Sequence, residues 1–133
     1  MATADLLIDT SIFIEHLRKQ NRQKTILYNI VGDYAIYTST VVEFELYAGA
    51  TDSQKRHDVQ AILSWSTVLP LTSDVAQRAA AIFQQLRATN QLIEMRDILI
   101  AATAIAHSLP LMTLNVGHFE RMDTLQLVAL PEI

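Results

Sequence analysis

Cysteine is absent from this chain, and glycine and proline are scarce, with three of each among 133 residues. Without cysteine, neither a disulfide framework nor a thiolate metal site can form, which fits a reducing compartment. No linker rich in Gly, Ser or Pro, no internal repeat and no low-complexity segment divides the chain. We therefore expect a single domain over residues 1–133 and a cytoplasmic location.

Long apolar runs are also missing, although half of the residues are apolar. No run approaches the roughly 18 residues that a membrane-spanning helix needs, and the start MATADLLID has no secretory signal pattern. We therefore expect no membrane association. Because a small domain has a limited interior, we also expect some apolar surface to meet another chain.

The formal net charge of −4 disfavours a protein that coats nucleic acid regardless of sequence, since such proteins are normally basic. An acidic site that reaches RNA or DNA through bound cations remains open. Four basic residues cluster in RKQNRQK, and they either form a solvated helix end or contact phosphate. They are Arg18, Lys19, Arg22 and Lys24.

Alternating strand and helix patterns run through the whole chain. Short apolar runs with β-branched residues predict strands at 4–8, 34–37, 67–71, 111–114 and 125–128. Helical spacing predicts helices at 11–19, 23–31, 40–50, 53–65, 73–90 and 96–108, the fifth with Ser73 or Asp74 as its N-cap. This alternation predicts an α/β domain with a mostly parallel sheet of four to five strands, covered by helices on both faces.

Oxygen-bearing side chains recur where the predicted strands end and helices begin, which is where such sheets bind ligands. They are Asp9 in LLIDTSIFIEHL, Glu43 and Glu45 in TSTVVEFELYAG, Asp97 in EMRDILIAATAIAH, and Thr113 with Asn115 in LMTLNVGHF. Taken singly, Asp9 could cap the helix that follows it, and Asp97 could be favoured by the dipole of its own helix. Their shared setting favours a common site instead.

Carboxylates that converge in one place repel one another unless a cation lies between them. Oxygen ligands, without Cys or His at metal-ligand spacing, select Mg²⁺ or Mn²⁺ over Zn²⁺. A divalent ion held in this way can lower the pKa of a bound water and neutralise a phosphodiester under attack. The pattern therefore favours metal-dependent hydrolysis of a nucleic acid.

Three segments of the chain resemble those of the PIN-domain ribonucleases, and among them the VapC-type toxins of bacterial toxin–antitoxin (VapBC) pairs. LLIDTSIFIEHL is similar to the family's opening strand and Asp-Thr-Asn/Ser turn, and TVVEFELYAGA to its Glu-Leu-x-x-Gly segment. RDILIAATAIAHSLPLMTLNVGHFERM is similar to its Asp-x-x-Ile-Ala-Ala helix followed by Thr-x-Asn/Asp-x-x-x-Phe. The three segments occur in the family's order, and the resemblance covers almost the whole chain.

The resemblance implies a PIN-like three-layer α/β/α fold and a Mg²⁺- or Mn²⁺-dependent endoribonuclease. Its RNA substrate would be tRNA or rRNA, and cleavage would inhibit translation and growth. The acidic metal-site residues would be Asp9, Glu45 and Asp97, with Asn115 as a further catalytic position where many relatives carry a fourth acid. Supporting hydroxyls would come from Thr10, Ser11 and Thr113, and further candidates are Glu43, Glu94 and His118.

Within the second segment, Glu45 is preferred over Glu43 because Leu46 and Gly49 follow it as in the family pattern. Residues two apart on a helix point about 200° away from each other, so both acids cannot face one metal. Glu94 is alternatively a solvated residue just before a helix. His118 is alternatively a surface or packing residue rather than a ligand or phosphate contact.

The resemblance also implies a homodimer and a cognate VapB-type antitoxin that neutralises the toxin. The toxin and antitoxin would form either a simple complex or a larger assembly. The neutral Asn115 motivates an alternative, in which a non-catalytic PIN-fold module docks a basic peptide in the acidic pocket. Phosphoryl chemistry of the receiver or phosphatase kind is disfavoured. The chain reads Asp9-Thr10-Ser11 instead of Asp-x-Asp and has no lysine after Lys55.

Overall fold

The computed structural model describes residues 4–133, in which four parallel strands form one sheet with helices on both sides. The strands are β1 (Ala4–Ile8), β2 (Tyr34–Ser39), β3 (Thr67–Leu69) and β4 (Leu111–Met112), in the spatial order β3-β2-β1-β4. The predicted α/β class with a mostly parallel sheet is therefore confirmed. Residues 1–3 of the predicted single domain lie outside the described residues, and the domain's extent stays a prediction.

Seven α-helices and one 3₁₀ turn, Arg22–Lys24, occur among the described residues. The helices are α1 (Thr10–Arg18), α2 (Ile26–Ile30), α3 (Thr40–Ala48), α4 (Ser53–Leu63), α5 (Ser73–Ala88), α6 (Met95–Ala106) and α7 (Val116–Phe119). Within residues 4–133, none of these helices has the length and apolar character needed to cross a membrane.

Three of the sequence predictions are wrong in detail. Residues 125–128 form no strand of the sheet, because only Leu127 makes an isolated bridge, to Leu111. The predicted helix at 23–31 is instead a 3₁₀ turn followed by the short helix α2. Thr25 is the N-cap of α2, and its hydroxyl oxygen accepts a hydrogen bond from the Tyr28 N–H. The N-cap of α5 is Thr72 instead of Ser73 or Asp74, and its hydroxyl oxygen accepts a hydrogen bond from the Val75 N–H.

The central strand and the helix after it position the site. Strand β1 lies between β2 and β4, and its last three residues, 6–8, are fully buried. Helix α1 follows after a single residue, Asp9, and packs through the fully buried Phe13. Because parallel strands direct their carboxyl ends to one edge, the residues after β1, β2 and β4 lie along the same edge of the sheet.

His16 on α1 is a buried side chain whose ionisation affects folding. It is 4% exposed, its Nδ1 lies 2.6 Å from the Thr25 hydroxyl oxygen, and its ring meets the Trp65 ring edge-on. Burial lowers the pKa of His16 below its usual value of 6.5, and the positive charge of Arg22 lowers it further. The unfolded chain therefore binds a proton that the folded chain resists, so folded-state stability is lost as pH falls below about 6.5.

We expect the melting temperature of the wild-type protein to fall more steeply below pH 6.5 than that of the His16→Gln variant. Thermal unfolding followed by circular dichroism between pH 5 and pH 8 measures both slopes. His107→Gln is the matched control, because His107 is exposed at the end of α6. Equal slopes for the wild type and His16→Gln would contradict this assignment.

Candidate active site

Asp9 is the most buried acid at the carboxyl edge of the sheet, with 2% of its surface exposed. It occupies the N-cap position of α1, but its side chain makes no capping hydrogen bond. Instead, its carboxylate accepts hydrogen bonds from the hydroxyl of Ser11 at 2.5 Å and from the hydroxyl of Thr113 at 2.6 Å. The two hydroxyl groups, more than the start of α1, are therefore the main hydrogen-bond partners of this buried charge.

The two hydroxyl groups are fixed as donors to Asp9 by backbone groups on their other side. The Ser11 hydroxyl oxygen accepts a hydrogen bond from the Leu114 N–H at 3.0 Å. The Thr113 hydroxyl oxygen accepts one from the Asn115 N–H at 2.9 Å. Because these N–H groups occupy oxygen lone pairs, the hydroxyl protons are available to the carboxylate. Two of the three predicted supporting hydroxyls thus contact Asp9.

Glu45 on α3 reaches the same edge from the next strand–helix connection. Its Oε1 accepts a hydrogen bond of 2.7 Å from the hydroxyl of Thr10, the residue directly after Asp9. Its Oε2 lies 3.3 Å from Nε of Arg96, and the Glu45 side chain is 16% exposed. Glu45, rather than Glu43, is therefore the acid of this helix that the structure brings to the site.

Asp97 in the first turn of α6 is the second buried acid, with 6% of its surface exposed. Its Oδ2 lies 2.9 Å from Nδ1 of His118 on α7. Residues Ile98, Ile100 and 101–104 of α6 are buried, so this helix is firmly packed and holds Asp97 in place. His118 is therefore joined to the acidic site by a direct contact.

The pKa of Asp9 reflects its burial first and the neighbouring acid second. Burial raises the pKa above its usual value of 3.8, and the nearby charge of Asp97 raises it further. The hydrogen bonds from Ser11 and Thr113 oppose the increase without cancelling it. A buried carboxylate whose ionisation is disfavoured both by burial and by a neighbouring acid forms an environment that a cation would stabilise.

The donor set fits a hard divalent cation such as Mg²⁺. Proteins usually hold Mg²⁺ through one or two carboxylates, while water molecules and substrate phosphates complete its octahedral shell. Asp9 and Asp97 offer such a pair. Among residues 4–133, no group of three or more Asp, Glu or His side chains is arranged to hold a metal ion together. The site therefore offers a cation two buried carboxylates, while the oxygens of Glu45 contact Thr10 and Arg96.

Two other candidates lie at the margin of the site. Asn115 is exposed at the N-cap of α7, where its side chain makes no capping hydrogen bond. Glu94 is the exposed N-cap residue of α6, and its Oε2 lies 2.6 Å from Nη2 of Arg96. The interpretation of Glu94 as a solvated residue before the helix agrees with this placement.

The basic run near residue 20 lies at a solvated helix end, which is one of the two interpretations that the sequence left open. Lys19 pairs with Glu15 at 2.7 Å, and Arg22 lies 3.6 Å from Asp58, so these charges belong to a solvated helix end. Arg96 is the basic residue that contacts the acidic site, and sequence reasoning missed it. The available signal was its position directly before Asp97 at the start of a helix.

Two open clefts adjoin Glu45. One has a volume of about 280 Å³, lies between α1, α3 and α4, and carries Arg18 and Lys55 on its walls. The other has a volume of about 490 Å³ and is lined by apolar side chains that include Phe44 and Met95. These two side chains are 71% and 55% exposed, which agrees with the expectation of apolar surface outside the core.

Comparisons with known proteins agree with the architecture. The PIN domain family model matches residues 6–125. The ribonuclease VapC19 of Mycobacterium tuberculosis is 34% identical over 121 residues, which cover 90% of this chain and 96% of the relative. Ribonuclease VapC10 of the same species is 33% identical over 121 residues, covering 91% and 90%. The structure of VapBC2 from Rickettsia felis bound to a promoter DNA fragment has a TM-score of 0.81 at 22% identity, covering 92% and 96%.

Proposed function

Because this chain belongs to the PIN-domain family, we propose that it is a VapC-type ribonuclease toxin that hydrolyses RNA with the help of Mg²⁺ or Mn²⁺. The observation that carries the proposal is the pairing of two buried acids, Asp9 and Asp97, at the carboxyl edge of the sheet. Among residues 4–133, Asp9 has no Lys, Arg or His side chain paired with it, and the basic side chain that contacts Asp97 is the half-exposed His118. A resident cation explains the burial of both acids.

The residues of the site have separate tasks in this proposal. Asp9 and Asp97 hold the cation, with Asp9 oriented by Ser11 and Thr113 and Asp97 oriented by His118. When bound, the cation supplies an activated water and neutralises charge on the attacked phosphodiester. RNA phosphates approach the exposed side of the edge near Asn115 and complete the acidic site.

We further propose that the substrate is tRNA or rRNA, that its cleavage inhibits translation and growth, and that the protein acts in the cytoplasm, where these RNAs are used. The formal charge of −4 is compatible with such a polyanionic substrate because the metal-bound site, rather than the overall surface, attracts phosphate. Single-stranded loops are the usual targets of sequence-specific RNA recognition, which favours a loop as the cleaved element.

A VapB-type antitoxin and a second copy of the chain are the proposed partners. Two observations support the antitoxin: the curated relatives are VapC ribonucleases, and the Rickettsia felis neighbour is a VapBC assembly. The exposed apolar side chains beside Glu45, Phe44 and Met95 above all, are of the kind that protein interfaces cover.

Growth and RNA integrity in bacteria expressing the protein without an antitoxin test the proposal. We expect the wild type to arrest growth and to produce discrete RNA fragments, whereas Asp97→Ala should do neither because one of two cation-holding carboxylates is gone. Asp74→Ala, which removes an exposed carboxylate on α5, should behave as the wild type does. Growth arrest and RNA cleavage that both persist in Asp97→Ala would contradict the proposal.

The alternative function is a non-catalytic module that docks a basic peptide in the acidic pocket. The exposed, neutral Asn115 favours the docking module, because the family resemblance implies that many relatives carry a fourth acid at this position. Titration calorimetry with MnCl₂ separates the two functions. Absence of Mn²⁺ binding by folded protein, together with intact RNA, would favour the docking module over the ribonuclease.

A further inference from the structure

Arg96 joins two parts of the candidate site that the sheet does not connect directly. It lies in the first turn of α6, immediately before Asp97, and its side chain is 54% exposed. Its Nε lies 3.3 Å from Oε2 of Glu45 on α3, and its Nη2 lies 2.6 Å from Oε2 of Glu94. One guanidinium group therefore links the start of α6 to the acid on α3.

This contact affects what Glu45 can do. One of its carboxylate oxygens accepts the Thr10 hydroxyl, and the other is paired with Arg96. Both oxygens thus have partners, which agrees with the absence of a three-residue metal cluster among residues 4–133. Glu45 is beside the two buried acids without being available to share a cation with them.

The ion pair between Arg96 and Glu94 is easily exchanged, and it leaves half of the Arg96 side chain open to solvent. Glu94 is 56% exposed, and an ion pair between two solvent-exposed side chains contributes little to stability because water and salt screen it. A guanidinium group binds a phosphate group with the same two-pronged geometry that it uses for a carboxylate. A phosphate of an RNA strand lying along this edge is therefore an alternative partner of suitable charge and shape.

We propose that Arg96 is a positioning residue that holds Glu45 in the free protein and releases it when the guanidinium group binds an RNA phosphate. Glu45 then joins Asp9 and Asp97, so the acidic site is complete only with substrate present. This inference rests on the proposed ribonuclease function, and it adds a residue that couples RNA binding to assembly of the site.

Mn²⁺ affinity of the RNA-free protein tests this coupling by calorimetry, independently of catalysis. Arg96→Met should bind Mn²⁺ about 3- to 10-fold more tightly than the wild type, because Glu45 becomes available to the cation. Removal of a positive charge could also act through space. The double variant Arg96→Met/Glu45→Gln separates these causes, since the gain should disappear relative to Glu45→Gln alone if it depends on Glu45.

Two results would overturn the inference. An equal gain in the presence and absence of Glu45 would mean that Arg96 acts only as a nearby charge. A weaker affinity in Arg96→Met would mean that Arg96 orients Glu45 towards the cation instead of holding it back. Arg78→Met is the matched control, because Arg78 forms an exposed ion pair of 3.0 Å with Asp74 on α5, and it should leave the affinity unchanged.

Steady-state RNA cleavage provides the second readout. Because Arg96 is the proposed phosphate contact, Arg96→Met should raise KM about 10-fold or more, and Arg96→Lys should recover part of that loss through its retained charge. Unchanged KM in Arg96→Met would overturn the phosphate exchange. If the wild type binds Mn²⁺ and Asp9→Asn does not, the metal site stands even when Arg96→Met has no effect. If no variant binds Mn²⁺, both proposals fail.

Discussion

Asparagine in place of Asp9 is expected to lower RNA cleavage by more than about 100-fold without weakening the fold. Loss of a residue that merely orients a metal ligand typically costs about 10- to 100-fold in metal affinity or activity, and Asp9 is itself a proposed ligand. Asparagine keeps the size of the side chain and one acceptor oxygen, so Ser11 or Thr113 retains a partner. The chemical loss is therefore separated from a packing change.

The same substitution should change the stability of the metal-free protein little, because the loss of one hydroxyl hydrogen bond is offset by removal of a buried charge. Burial and the charge of Asp97 raise the pKa of Asp9, so the folded state disfavours the ionised form. For a group of this kind, the stabilising contribution is present below the unfolded pKa and is lost as pH rises through the folded pKa. At pH 7 an uncharged asparagine escapes that cost.

Melting temperatures at pH 7 in EDTA, measured for the wild type and Asp9→Asn, check this expectation. Added Mg²⁺ at about 100 times its Kd should stabilise the wild type by about 2.7 kcal/mol and leave Asp9→Asn unchanged. Asp5→Asn is the matched control, because Asp5 is an exposed acid on the same strand. A melting temperature several degrees lower for Asp9→Asn in EDTA, or equal stabilisation of both proteins by Mg²⁺, would contradict the account.

Replacing Phe13 with alanine is expected to lower the free energy of unfolding by about 3–5 kcal/mol. Phe13 is fully buried on α1, the helix that begins with Thr10 and Ser11 of the site. The loss is a large part of the 5–15 kcal/mol that typically stabilises a domain, and it corresponds to a fall in melting temperature of roughly 10–20 °C. Urea denaturation followed by circular dichroism measures the change.

Phe44→Ala removes the same side chain from an exposed position and serves as the control. Phe44 on α3 is 71% exposed, so its loss should change the free energy of unfolding of the monomer by less than about 0.5 kcal/mol. Similar destabilisation by both substitutions would contradict the described burial of Phe13 on α1.

The order of strands and helices was predictable because each element carries its own apolar period. Strand β1 was predicted with its observed bounds, and helices α1 and α3 start within one residue of the positions expected. The segment at 125–128 has the composition of a strand, yet only Leu127 forms a bridge to Leu111. The composition of the segment indicates that it can be buried. How many of its residues pair with a neighbouring strand depends on the tertiary fold, which the composition does not give.

The candidate site was predictable to the extent that strand ends identify it. Asp9 and Asp97 are buried at the sheet edge as expected, and Glu45 rather than Glu43 contacts the residue beside Asp9. The roles assigned to these residues stay predictions until cleavage is measured. The sequence could not reveal the contact of His118 with Asp97, because it joins two elements 21 residues apart.

Arg96 was overlooked because its significance depends on where its long side chain goes. A basic residue before a helix-starting acid is ordinary in sequence, and only the contact with Glu45, 51 positions away along the chain, gives it a role. Asn115 is the reverse of Arg96. The family motif predicted a catalytic position there, but the structure places the Asn115 side chain exposed at the start of α7.

The central claim is that the acidic edge cleaves RNA through a divalent cation. The direct measurement is incubation of a mixture of total tRNA and rRNA with purified, antitoxin-free protein in Mg²⁺, in Mn²⁺ and in EDTA, beside Asp9→Asn. We expect discrete fragments that form with either metal and are absent both in EDTA and with the variant. Fragments of equal yield in EDTA, or from Asp9→Asn, would contradict it.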